Sequence, residues 1–78
     1  MYYVYVLKSE KDGKLYIGRT TDLRRRYSEH TQGHVFSTKG RRPLLLVYYE
    51  AYTDKSKCAQ QELFYKSGIG REALKYKV

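Results

Sequence analysis

Asparagine and tryptophan are absent from this 78-residue chain, and cysteine, proline and methionine occur once each. With Cys58 alone, no intramolecular disulfide and no cysteine-rich zinc site can form. The thiol reads as a small buried group on a helix rather than a nucleophile. No apolar run approaches the ~20 residues a membrane-spanning helix needs. The segment after Met1, Tyr2-Tyr3-Val4-Tyr5-Val6-Leu7, has neither a basic leader nor a small-residue cleavage site, so no signal peptide is expected and a cytoplasmic location is. Repeats and low-complexity stretches are lacking too. The length predicts a single domain over residues 1–78, burying about 60% of its unfolded surface. It leaves no room for a separate specificity domain. A large substrate would be met by one surface, or with a protein partner supplying specificity.

Acidic residues are also scarce: 8 Asp and Glu stand against 16 Lys and Arg, a formal charge of +8. So dense a positive field favours polyanions, meaning DNA, RNA or an anionic membrane surface. The basic residues are spread over loops and helices rather than along one amphipathic helix, which argues against the membrane. What the chain has in abundance is tyrosine, 10 residues of it. Tyrosine covers apolar surface while keeping a polar tip for hydrogen bonding, so most of the ten are expected in or around the core.

Tyr2 to Leu7 is rich in β-branched and aromatic residues and predicts a strand. Asp12-Gly13 signals a turn, and Leu15 to Thr20 predicts the antiparallel partner strand. Alternation places Tyr3, Tyr5 and Leu7 on one face of the first strand. Thr21 and Asp22 cap a helix that runs to about Thr31 or Gln32 and stops at Gly33. Gly33 to Pro43 is expected to be a basic loop. Leu44 to Tyr52, almost continuously apolar and aromatic, predicts a strand buried on both faces at the centre of the sheet. Thr53-Asp54 caps a helix over Lys55 to Lys66, Ser67 to Gly70 breaks it, and Arg71 to Tyr76 forms a short last helix. The fold class expected is α+β: a three-stranded, mostly antiparallel sheet flanked by helices, in the order β-β-α-β-α-α.

Both longer helices carry charge where a core stripe would be apolar. Leu23, Arg26, Tyr27 and His30 share one face of the first. Ala59, Glu62, Leu63 and Lys66 have the same spacing on the second. Burying an unpaired charge is costly, so either Arg26 and Glu62 form a structural ion pair or the two helices and the tyrosines frame a polar, reactive pocket. Such a pocket suits phosphodiester hydrolysis. Arginine offers a permanently charged planar fork for phosphate. A lone glutamate can hold a Mg²⁺ that completes its shell with water and substrate oxygens. Tyrosine or histidine can accept a proton from water, although free tyrosine titrates near ~10 and needs positive charge around it to do so.

These residues resemble the GIY-YIG nuclease superfamily. Tyr3-Val4-Tyr5-Val6-Leu7-Lys8 is similar to its first motif, with Tyr5 at the motif tyrosine. Leu15-Tyr16-Ile17-Gly18-Arg19-Thr20 contains a literal Tyr-Ile-Gly. Asp22 to His30 resembles the helix with the family arginine, at Arg26, and His30 falls where relatives carry His or Tyr. Glu62, followed by Lys66, resembles the metal-binding glutamate and its lysine. Gly40 to Tyr48 resembles the small stand-alone branch related to the nuclease domain of the bacterial excision-repair C subunit. The first motif departs from the pattern in reading Tyr-Val-Tyr for Gly-Ile-Tyr, and no asparagine follows the glutamate helix as it does in many relatives.

The resemblance implies a three-stranded sheet with flanking helices and a metal-dependent endonuclease acting on DNA, in repair or recombination. It assigns Tyr16 as general base, Tyr5 as a water-positioning group and Arg26 as the scissile-phosphate ligand. It also implies a catalytic place for His30, a phosphate-side position for Arg19, and one Mg²⁺ or Mn²⁺ on Glu62. Arg24, Arg25, Lys39, Arg41, Arg42 and Lys66 are the remaining candidates for nucleic-acid contacts. His34 is assigned nothing. Two other readings stand beside it. One is a non-catalytic nucleic-acid-binding module, with phosphates on Lys and Arg and bases stacked on tyrosines. The other is a partner-docking subunit, for which Phe36 and Phe64 would be exposed.

Overall fold

A computed structural model describes all 78 residues. The first strand, β1 (Tyr2–Ser9), turns through Gly13, which takes a φ of 74°, into β2 (Leu15–Thr20). The third, β3 (Leu44–Tyr52), pairs with the other side of β1. Both pairings are antiparallel and the order is β2-β1-β3. The helices are α1 (Leu23–Thr31), α2 (Phe36–Lys39), α3 (Lys55–Lys66) and α4 (Gly68–Leu74). The fold is the expected α+β sheet with helices in the expected order, plus one further turn of helix, α2. The predicted loop at Gly33–Pro43 is corrected at Phe36–Lys39. That turn has no side-chain cap hydrogen bond, so its start carries no composition signal.

Local chemistry explains the longer helices. The Asp22 side chain accepts from the Arg25 backbone N–H, and Asp54 accepts from those of Ser56 and Lys57. Each satisfies donors that a helix N-terminus leaves unpaired. Gly33 ends α1 with a φ of 80°. Ser67, read as part of a break, is itself a cap: its hydroxyl accepts from Gly70 N–H and starts α4 three residues earlier than the predicted Arg71. Gly70 lets α4 turn back tightly on α3, because a Cβ there would collide with the Phe64 carbonyl oxygen.

Alternation along β1 divides the core. Tyr5 and Leu7 face α1 and pack with Leu44, Tyr16, Leu23, Tyr27 and Leu46. Val4 and Val6 face the other way, with Ile17, Cys58, Tyr65 and Leu74. The sheet therefore lies between α1 on one side and α3 with α4 on the other. β1 is its central strand, so the central place predicted for β3 is corrected to an edge. β3 looked doubly buried because it changes face midway. Val6 pairs with Tyr48 and Leu7 with Leu46, so Val47 is an extra residue at a β-bulge. Leu44 and Leu46 then join the α1 side, while Tyr48 and Tyr52 join the α3 side.

That switch gathers a polar knot under α3. The hydroxyls of Tyr48, Tyr52 and Tyr65 donate to the Glu50 carboxylate at 2.5, 2.6 and 2.5 Å. Burial alone would raise this carboxyl, but the three phenols hold it below the usual range.

Candidate active site

The β1–β2 ladder brings the tyrosines together. Tyr5 pairs with Gly18 and Leu7 with Tyr16, so Tyr16 and Gly18 lie on the α1 side of β2. The Tyr5 ring lies across Gly18, where a Cβ would meet the Tyr5 hydroxyl oxygen at 2.5 Å. Glycine is needed here for close approach rather than for backbone freedom.

The apolar and aromatic members of the predicted α1 face do meet the sheet. Leu23 and Tyr27 pack into the α1-side core, and the Tyr27 hydroxyl donates to the Leu44 carbonyl at 3.0 Å. His30 is 0% exposed. Its Nε2 lies 2.8 Å from the Tyr5 hydroxyl and its Nδ1 2.7 Å from Thr38 Oγ1. A neutral imidazole has one N–H, so it donates to one of these oxygens and accepts from the other. Burial, with the Arg26 charge behind it, pushes the His30 pKa down to about 4, and the ring is uncharged at neutral pH. The Tyr16 ring stands 5.1 Å from the His30 ring and 6.4 Å from that of Tyr5. Arg26 is half-buried and bonds Glu29 Oε1 at 3.1 Å. Burial raises the Tyr5 phenol, and the nearby Arg26 guanidinium opposes the rise.

Glu62 stands on the α3 side. Its side chain is 14% exposed, and each carboxylate oxygen has a cationic partner: Arg19 Nε at 3.2 Å from Oε1 and Lys66 Nζ at 3.1 Å from Oε2. The Arg26–Glu62 ion pair offered by the sequence is not formed. Arg26 pairs within its own helix and Glu62 with the edge strand, because the sheet separates α1 from α3. The predicted inward face of α3 also shifts. Cys58 and Tyr65 are its buried residues, and Leu63 is 68% exposed. Since β2 is an edge strand, no further strand walls off the two sides there. Glu62 meets that edge through Arg19, whose neighbour Gly18 lies opposite Tyr5.

The structure thus brings Tyr5, Tyr16, His30 and Arg26 together, with Arg19, Glu62 and Lys66 around the same edge. Arg24 and Arg25 lie exposed on the outer side of α1. The predicted basic run splits: Lys39 is exposed, Arg42 donates to the Lys39 carbonyl and packs on Gly33, and Arg41 turns to the hairpin. Phe36 is 95% exposed and Phe64 41%, the Phe64 ring lying beside Tyr65 with centroids 5.6 Å apart. Sequence reasoning missed Glu29 and Thr38. Glu29 was available, three residues after Arg26 on the same helix. Thr38 needs the tertiary fold to reach His30.

The family described as GIY-YIG catalytic domain matches residues 1–76. A UPF0213 protein of Staphylococcus haemolyticus is 39% identical over 75 residues, covering 95% of this chain and 90% of the relative. One from Bacillus pumilus is 42% identical over 67 residues, covering 85% and 67%. The solution NMR structure of the UPF0213 protein BH0048 from Bacillus halodurans shares 37% identity with a TM-score of 0.59, over 95% of this chain and 82% of that one. No helix is long and apolar enough to cross a membrane.

Proposed function

This chain belongs to the GIY-YIG family of nuclease domains, and we propose that it is a metal-dependent endonuclease that hydrolyses phosphodiester bonds in DNA. The observation that carries this reading is the convergence of two strand tyrosines and a helix arginine at a sheet edge that also bears Glu62.

In this mechanism Arg26 binds the scissile phosphate through its planar fork and offsets the charge that grows on the phosphoryl oxygens. Tyr16 accepts a proton from the attacking water as its own hydroxyl proton passes to solvent. Tyr5 orients that water, and His30 with Thr38 holds Tyr5 in place. His30 has both ring nitrogens engaged and no exposed surface, so its role is positioning, a revision of the catalytic place first expected of it. Water oxygen bonds to phosphorus, the bond to the leaving oxygen breaks, and that oxygen takes up a proton from solvent.

Glu62 suits a Mg²⁺ or Mn²⁺ held by one carboxylate and otherwise by water and phosphate oxygens. Arg19 and Lys66, both about half-exposed, occupy its oxygens and can turn to phosphate instead. When bound, the ion supplies Lewis acidity and a template for the phosphate. A cytoplasmic place in DNA repair or recombination belongs to the same proposal.

The test is a cleavage assay on single-stranded, duplex, flapped and branched DNA, with Mg²⁺, Mn²⁺ or EDTA. Wild type is compared with Glu62→Ala and Arg26→Ala. Cleavage that needs metal and is lost in both variants supports the reading. Salt-sensitive binding with no cleavage of any substrate overturns it in favour of a binding module.

A further inference from the structure

Cations that the catalytic reading does not use gather at the opposite end of β2. Lys14 from the hairpin loop, Arg41 from the segment before β3, and Arg71 and Lys75 from α4 line a hollow of about 620 Å³. Asp12, Gly13 and Leu15 complete the lining, so Asp12 is the one acid among four cations. Three separate segments of the chain supply the charges, which are therefore set by the fold and not by a local run of sequence.

The walls are fixed in place. Leu74, beside Lys75, is fully buried in the α3-side core, and the tight Gly70 contact seats α4 on α3. Arg71 and Lys75 are four residues apart, on one helix face. Arg41 donates to the Leu15 carbonyl at 3.4 Å and lies 3.8 Å from Asp12. Lys75 also touches Glu72 at 2.9 Å, but both side chains are 67% exposed, and such a pair yields readily.

The position matters as much as the charge. Leu15 begins β2 at the hollow and Arg19, four residues on, meets Glu62. At a strand's rise of roughly 3.3 Å per residue that is about 13 Å. Resting on the nuclease reading above, we propose that this hollow is a second phosphate-binding site, which grips the DNA backbone about 13 Å along β2 from the edge where Arg19 meets Glu62.

The experiment compares wild type with the triple variant Lys14→Gln, Arg71→Gln, Lys75→Gln, leaving Arg41 to hold the loop. Binding of a labelled DNA strand is followed in EDTA across a salt series. Turnover is measured separately with metal at saturating DNA, and urea unfolding checks that the triple variant folds. Each phosphate that the protein no longer neutralises reduces the slope of log K against log salt by about 0.7 to 0.9. The expected result is a slope smaller by about one to two, with turnover at saturation unchanged. Arg24→Gln, Arg25→Gln on the outer side of α1 removes two charges rather than three and serves as the comparison; it should change the slope less for each charge removed. If the triple variant keeps the wild-type slope, or loses turnover at saturation, the hollow is not a backbone anchor, while wild-type cleavage still upholds the nuclease reading. If wild type shows neither salt-dependent binding nor cleavage, both readings fall.

Discussion

Gly18 lies opposite Tyr5 in the central ladder, and the Tyr5 hydroxyl occupies the space where a side chain at position 18 would begin. One glycine therefore sets the pose of one phenol. Gly18→Ala should push the Tyr5 ring away and part it from His30. The overpacking should cost about 1–3 kcal/mol of stability, and turnover should fall at least about tenfold, since misplaced positioning groups cost that much or more. Urea unfolding and cleavage rates check both. A destabilised variant with full turnover would remove Tyr5 from the mechanism.

His30 should make the protein sensitive to mild acid. Its pKa falls from 6.5 to about 4 in the folded state, so between those values the unfolded chain binds a proton that the folded one refuses. Stability is then fully present above about pH 6.5 and falls as the pH drops towards 4, by up to ~3 kcal/mol. His30→Gln should flatten this part of the profile. Denaturant titrations across the window measure it, and an unchanged profile in the variant would assign the effect elsewhere.

Glu50 should matter to stability and not to chemistry. Glu50→Ala strips three phenols of their acceptor, one of them on the buried Tyr65. The expected loss is about 2–4 kcal/mol, with turnover kept at a temperature where the variant is folded. Glu50→Gln should lose less. Because the folded carboxyl titrates below its usual 4.5, this contribution is present above that pH and is lost as the pH falls below it.

The partners of Glu62 should compete with metal. Lys66→Gln frees one carboxylate oxygen from an ion pair whose lysine is half-exposed, worth about 1 kcal/mol. Mn²⁺ should then bind the free protein up to about fivefold more tightly, as read by electron paramagnetic resonance. Glu62→Gln should bind least. Equal affinity in wild type and Glu62→Gln would take the metal away from this residue.

How far the sequence could be read depends on how local the cause was. The helix over Lys55–Lys66 was legible to the residue because Asp54 caps it by touching its own neighbours. The α1 face was legible because helical spacing alone brings His30 and Tyr27 to the sheet. Arg26 and Glu62 were rightly singled out as charges needing partners, but their actual partners depend on which side of the sheet each helix lies. The bulge at Val47 and the single turn of α2 had no local signature, so β3 was set at the centre and Thr38 was left in a loop. The hollow around Arg41 was invisible for the same reason, its walls coming from segments far apart in sequence.

The bulge in β3 also bears on how this chain can change over generations. Substitution can alter its residues one by one, but a lost or gained residue alters parity. Removing Val47 would only erase the bulge, since Leu46 and Tyr48 already pair with the adjacent Leu7 and Val6, but losing or gaining a residue elsewhere in the strand would carry Leu44 and Leu46, or Tyr48, Glu50 and Tyr52, onto the wrong side of the sheet. The strand should therefore tolerate drift in spelling far better than drift in length, and paired insertions better than single ones.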